Sequence, residues 1–165
     1  RLLEYCEKGK EPVCLVDCAA RTMDRLLGWM KEVDFAAVAQ ELETDVTLLF
    51  VMGPEKDCVM ILKDMVESFG DSVSYVVVRN KGRGEDFSIY DASKVRARLL
   101  SELSAVEIEV PALLSATVLA IDKGNLGFKE ATESRNLGIA DRSRARSFRS
   151  RAFASFDHAR TELGC

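Results

Sequence analysis

The chain has 165 residues, of which 47% are hydrophobic and 30% are charged, and its formal net charge is −4. This composition is typical of a folded globular protein and excludes a disordered chain. The length predicts one domain with a sizeable core, and no apolar run approaches the roughly 20 residues that a membrane-spanning helix needs. We therefore expect no stable membrane insertion.

The cysteine and histidine content excludes several kinds of site. The five cysteines are odd in number and show no CxxC spacing, which predicts buried free thiols in a reducing cytoplasm rather than disulfides or metal ligands. Because His158 is the only histidine, we expect neither a histidine-based zinc site nor a Ser/His/Asp triad.

The first predicted elements are a helix and a short strand. Leu2 to Gly9 has helical spacing without a start signal, so we expect sequence before Arg1. Pro12–Cys18 then predicts a buried strand that carries Asp17 near its end. A carboxylate there needs a partner. Magnesium-linked phosphate chemistry and an ion pair with Arg21 are the two alternatives that spacing leaves open.

The middle of the chain alternates helices with buried strands. Thr22 to Glu43 has helical periodicity with a break near Asp34, which is expected to cap the second helix. Val46–Met52 predicts a strand, Glu55–Phe69 a helix, and Ser72–Lys81 another strand. The order β, α, α, β, α, β predicts right-handed crossovers and a parallel sheet.

The rest of the chain contains one more strand and a basic helix. Asp91 is expected to cap a helix over Ala92–Leu103, and the alternating Val106–Val110 predicts a strand nearer the sheet edge. Residues 114–138 are ambiguous apart from a short helix near Phe128. Residues 139–163 predict an amphipathic helix, in a region where residues 135–165 carry seven Arg against three acids. Five arginines lie beside the apolar stripe of this helix: Arg142, Arg144, Arg146, Arg149 and Arg151.

Three strand ends carry groups suited to a ligand. Asp17 lies near the end of the first predicted strand, Arg79-Asn80-Lys81 ends a later one, and Pro111-Ala112 follows the last. In open parallel sheets, ligands bind outside the carboxyl ends of strands. The ordinary alternative is that each is a solvated loop end.

These motifs together resemble the ParA/MinD-type deviant Walker ATPases, with a closer likeness to the plasmid-encoded ATPases of conjugal transfer and mobilisation. The likeness covers nearly the whole chain. Its motifs are Leu15–Ala20, Phe35–Met52, Val77–Lys81, Glu109–Leu113 and Phe128–Ala131. It implies a three-layer α/β domain of the P-loop NTPase kind, with a mostly parallel sheet between helices on both faces.

The resemblance also implies roles for single residues. Asp17 matches the catalytic acid that holds the Mg²⁺ shell through water, and Asn80 matches the residue that hydrogen-bonds adenine. The segment after Pro111 matches the backbone that closes over the base. ATP and Mg²⁺ are thus the expected cofactors of the complete protein, whereas Lys81 has no comparable role.

The chain departs from that family in one part. The Gly-rich loop that cradles the phosphates is absent, because Gly9–Pro12 leads into a strand and Gly82-Arg83-Gly84 follows Asn80. We therefore expect residues 1–165 to be the carboxyl-terminal part of a longer nucleotide-binding domain, an ATPase only if a phosphate loop precedes residue 1. In the family, the strand that leads into the phosphate loop lies inside the sheet. Without that strand the sheet would expose an apolar edge, so a homodimer is one expected state.

A non-catalytic module is the alternative function. The five arginines could each neutralise a phosphate, so the basic helix could bind DNA without sequence preference, or a plasmid transfer or partition protein. Against DNA binding, Phe148, Phe153 and Phe156 are expected on the apolar stripe, which leaves no aromatic side chain among the arginines.

Overall fold

The computed structural model describes residues 13–19 and 22–164. Within these ranges three strands form the sheet: β1 (Thr47–Met52), β2 (Ser74–Asn80) and β3 (Val106–Val110). Five of the described helices precede β3: α1 (Met23–Glu32), α2 (Phe35–Glu41), α3 (Lys56–Phe69), α4 (Ser88–Asp91) and α5 (Lys94–Ser101). After it come α6 (Ser115–Lys123), α7 (Phe128–Ala131), α8 (Ile139–Phe156) and a 3-10 turn (Asp157–Ala159).

The sheet is parallel, with the order β1-β2-β3. Phe50 is paired with Val77, and Val78 with Ile108. The central strand β2 is buried from Tyr75 to Val78, as its continuous apolar run predicts. The predicted α/β class with a parallel sheet is therefore confirmed.

Helices cover both faces of the sheet. One face, with Met52, Tyr75 and Val77, packs against α1 to α5 in the larger core. The other face packs against the end of α8 and the turn after it, through Phe156 and Ala159. Because successive side chains of a strand point to opposite faces, both layers are built from the same short strands.

A third, smaller core joins α6, α7 and α8 through Ile121, Ala131, Leu137 and Ala145. It places these helices beside the carboxyl ends of β2 and β3. None of the helices in the described ranges is both long and apolar enough to cross a membrane.

Several predicted boundaries need correction. The strand expected over Pro12–Cys18 is wrong for residues 13–18, which have no regular secondary structure and are exposed, and Pro12 is outside the described residues. Asp91 does not cap the following helix, because it ends α4 and Ser93 caps α5, accepting a hydrogen bond from the Arg96 amide at 3.2 Å. The C-terminal helix ends at Phe156 instead of residue 163.

Other expectations are met or lie outside the described part. The helix break near Asp34 is confirmed, although the side chain of Asp34 makes no capping hydrogen bond. Cys14, Cys18 and Cys58 are free thiols as expected, but Cys14 and Cys18 are exposed, not buried. The helix expected at Leu2 to Gly9 lies outside the described residues, as do Cys6, Cys165 and Arg21.

Two arginines of α8 hold the loop that precedes it. The Arg142 guanidinium donates to the carbonyl oxygens of Leu137 at 2.6 Å and Ser134 at 3.3 Å. Arg146 donates to the carbonyl of Thr132 at 3.2 Å. These bonds satisfy loop carbonyls next to the third core, so both side chains have a structural role.

We expect Arg142→Ala to lower the free energy of unfolding by about 1–2 kcal/mol, because two charge-assisted hydrogen bonds are lost. Arg144→Ala is the matched control, since Arg144 forms only an exposed pair with Asp141. It should change stability by less than about 0.5 kcal/mol. Urea denaturation measures both variants, and equal losses would contradict the structural role of Arg142.

Candidate functional site

An open cleft of about 490 Å³ lies at the carboxyl ends of β2 and β3. Asn80 and Val110 end these strands and are paired in the register, and Pro111 follows directly. The structure thus brings Asn80 and Pro111, which the sequence places 31 positions apart, into one cleft. The other lining residues come from the following loop and from α6, α7 and α8: Gly82, Leu113, Ser115, Val118, Leu119, Asp122, Phe128 and Phe148.

A tight turn fixes Asn80. Its Oδ1 accepts a hydrogen bond from the Gly82 amide at 3.0 Å, which is the Asx-turn geometry that Asn favours. A Cβ at Gly82 would lie 3.0 Å from this oxygen, so any other residue there would displace the Asn80 side chain by a few tenths of an ångström. One lone pair of Oδ1 is used in the turn, and the two N–H groups of the amide have no partner among the described residues.

Lys81 continues the strand pairing past Asn80. Its amide donates to the Val110 carbonyl at 2.9 Å, and its Nζ pairs with Glu109 at 2.6 Å. This lysine therefore holds the two strand ends together on the side away from the cleft.

The far wall of the cleft is aromatic and apolar. The rings of Phe128 and Phe148 lie 4.9 Å apart between centroids, at an interplanar angle of 33°. Val118 and Leu119 of α6 add aliphatic surface. Among the lining residues that the structure describes, Asp122 is acidic and none is basic. Such a wall suits a flat, uncharged ring.

An ionic cluster lies behind the cleft, on the opposite face of the sheet. Glu107 of β3 accepts hydrogen bonds from Arg96 at 3.0 Å, Arg79 at 3.1 Å and the Tyr90 hydroxyl at 2.5 Å. Arg79 also bonds Asp91 at 2.7 Å and lies 5.3 Å from the centre of the Tyr90 ring. The cluster joins β2 and β3 to α4 and α5.

The pKa values within the cluster follow from these contacts. Partial burial raises the pKa of Glu107, but the hydrogen bonds from Arg96 and Tyr90 and the charge of Arg79 outweigh it and hold this pKa below its usual value. Burial raises the pKa of Tyr90, and the hydrogen bond to Glu107 raises it further. At neutral pH Glu107 is therefore an anion and Tyr90 a neutral donor.

Asp17 does not line the cleft. It is exposed in the irregular segment 13–19, and its alternative partner Arg21 lies outside the described residues. Residues 13–19 and 22–164 contain no group of three His, Cys, Asp or Glu side chains placed to hold a metal ion. The Mg²⁺ role of Asp17 stays a prediction.

The arginines of α8 differ in their surroundings. Arg144 pairs with Asp141 at 3.2 Å, and Arg151 is exposed without a partner in the described part of the chain. Arg149 lies over the Phe153 ring, 5.1 Å from its centre, and Phe153 is 60% exposed. The expectation that Phe153 belongs to the apolar stripe is therefore wrong, and an exposed aromatic ring does lie among the arginines.

Two residues of the cleft have no clear functional signal in the sequence. Phe148 belongs to the apolar stripe of the basic helix, which predicts packing, and Asp122 lies in residues 114–138, where the pattern is ambiguous. A signal for the ionic cluster was present. The alternation of Val106–Val110 places Glu107 and Glu109 on one face, beside a strand that carries Arg79 on the same face.

Comparison of the chain with protein-family models, with curated proteins and with solved structures finds no match. The assignment of a function therefore depends on the geometry of the cleft and on the chemistry of its residues.

We expect Glu107→Gln to lower the free energy of unfolding by about 2 kcal/mol, because Arg79 and Arg96 lose the anion that both contact. The matched control is Glu109→Gln, on the same face of β3 but half exposed and paired only with Lys81. It should cost less than about 0.5 kcal/mol. Thermal or urea unfolding distinguishes the two, and equal effects would contradict a special role for Glu107.

The difference in the free energy of unfolding between wild type and Glu107→Gln should become smaller as the pH falls. The folded-state pKa of Glu107 is lowered, so its stabilisation is fully present above the unfolded-state pKa and is lost as the pH falls through the folded-state pKa. When urea unfolding is measured from neutral to acidic pH, the free energies of unfolding of wild type and Glu107→Gln should therefore converge in acid.

Proposed function

We propose that the chain is the nucleotide-binding core of an ATPase of the plasmid partition and conjugation kind, and that the cleft binds the adenine base. The observation that supports this most directly is that Asn80 and Pro111 line one cleft at the carboxyl ends of parallel strands. In this arrangement the base lies between Asn80 and the wall that the rings of Phe128 and Phe148 form.

The chemistry of the cleft suits adenine. The amide N–H groups of Asn80, which have no partner among residues 13–19 and 22–164, can donate to ring nitrogens, and its second Oδ1 lone pair can accept from the exocyclic amine. The two phenylalanine rings offer stacking or edge contacts to a flat heterocycle. The ionic cluster behind β2 and β3 holds the strand ends, so little ordering is needed on binding.

Phosphate binding and hydrolysis need groups that this sequence does not contain. It has no Gly-rich loop with a lysine that opens a helix, so the 165 residues alone should bind adenine without hydrolysing ATP. Asp17 fits a Mg²⁺ ligand by its chemistry, since Mg²⁺ is commonly held by one or two carboxylates, phosphates and water. In a complete site it would supply that carboxylate.

We expect Asn80→Asp to weaken adenosine binding about tenfold, because the change removes both amide donors. An aspartate retains the oxygen that accepts from Gly82, so the turn is kept. Binding is measured by isothermal titration calorimetry and by NMR shifts of the Phe128 and Phe148 rings.

Asn136→Asp is the matched control, because Asn136 is exposed in the loop before α8 and receives the same charge change. It should bind adenosine like the wild type. Absence of adenosine binding at millimolar concentration, or equal binding by Asn80→Asp, would refute the proposal.

A second candidate function is sequence-independent DNA binding by α8. The observation that favours it is the exposed Phe153 ring against the half-buried Arg149, next to Arg151, which is exposed and has no partner in the described part of the chain. Arginine and an aromatic ring together can contact phosphates and stack on bases. Arg142 and Arg146 contribute less in this case, because loop carbonyls hold them.

We expect the triple variant Arg144→Ala, Arg149→Ala, Arg151→Ala to lose DNA binding at low salt and to reduce the salt dependence of any binding that is left. Mobility shift of random-sequence DNA at two salt concentrations measures this. The control removes three positive charges on the opposite layer: Arg25→Ala, Lys31→Ala and Lys63→Ala. Equal loss in both triple variants would mean a net-charge effect and would reject an α8 interface.

A further inference from the structure

The cleft is polar at both ends, and the two ends differ in charge. At the strand ends, Asn80 supplies neutral amide donors beside Pro111. The other end carries Asp122, an exposed carboxylate in the last turn of α6. Ser115 begins α6 near the strand ends, and Asp122 follows seven residues later, about 10 Å further along the helix axis. A single ring held at Asn80 would leave the acidic end unfilled.

The charge of the cleft limits what this second end can bind. Asp122 is acidic, and no basic residue lines the cleft in the described part of the chain. A phosphate there would face a carboxylate without a compensating cation, which is unfavourable. A carboxylate does accept hydrogen bonds from hydroxyl groups, and acidic residues commonly bind ribose hydroxyls in nucleotide sites.

We infer that the cleft is a nucleoside site with two ends, in which Asp122 accepts hydrogen bonds from the ribose hydroxyls of an adenosine whose base lies at Asn80. This inference rests on the proposed function. It makes Asp122 a specificity-determining residue that selects ribose over deoxyribose, and it excludes nucleotides that carry a phosphate on the 2′ or 3′ oxygen. Phosphates on the 5′ oxygen would extend from the open side of the cleft into solvent.

The test compares adenosine with 2′,3′-dideoxyadenosine on the full chain by calorimetry. Wild type should bind adenosine about tenfold more tightly, since the hydroxyl groups donate to a charged acceptor. Asp122→Asn should weaken adenosine binding severalfold, because an amide oxygen is a weaker acceptor than a carboxylate, and should leave binding of the dideoxy compound unchanged. Adenosine 2′-monophosphate should bind wild type more weakly than adenosine does.

Asp24→Asn is the control, because Asp24 is an exposed helical acid on α1, in the opposite layer. It should retain the tenfold preference. Equal binding of the two nucleosides by wild type, with no effect of Asp122→Asn but a loss in Asn80→Asp, would overturn the ribose assignment while leaving the adenine proposal standing. Absence of binding by every adenine compound would overturn both.

Discussion

The geometry of the cleft depends on one carboxylate shared between two arginines. Glu107 is only 17% exposed, and its two oxygens accept from Arg79, Arg96 and Tyr90. A partly buried carboxylate is costly unless it is fully bonded, so this cluster fixes β2, β3, α4 and α5 in one arrangement. Arg79 directly precedes Asn80, and the position of the Asn80 backbone follows from that restraint. The cleft therefore has a rigid floor although its mouth is open.

The parts of the fold that the sequence predicted are those in which local pattern and burial agree. The run of Tyr75 to Val78 is apolar without alternation, and it became the central strand, which is covered on both faces. Residues 13–18 are similarly apolar, yet they are exposed and form no strand. Composition predicts that a segment favours a strand, but a strand also needs a neighbour that accepts its hydrogen bonds. That neighbour is a long-range property which a local pattern does not contain.

The residues of the candidate site also fall into two groups, those that the sequence predicts and those that depend on tertiary packing. Asn80 and Pro111 were predictable because parallel pairing brings strand ends to one edge, whatever the loops do. Phe148 and Asp122 were not, because they reach the cleft only through the packing of α6, α7 and α8 around Ala131 and Ala145. The arginines of α8 looked alike in the sequence. Their surroundings in the structure differ, since Arg142 donates to loop carbonyls and Arg151 is exposed.

The two edges of the sheet are not equivalent. On the β3 side, α8 crosses the edge, and the Ser155 hydroxyl accepts the outward hydrogen bond of the Glu109 amide at 3.1 Å. On the β1 side, β2 is the one strand within the described ranges that pairs with Thr47–Met52, so the outer edge of β1 has no strand partner there, and Val51 is 54% exposed. The outward amide of Glu109 is thus not available to a strand from another chain. The hydroxyl of a single serine therefore helps to protect the β3 edge from pairing with a second molecule.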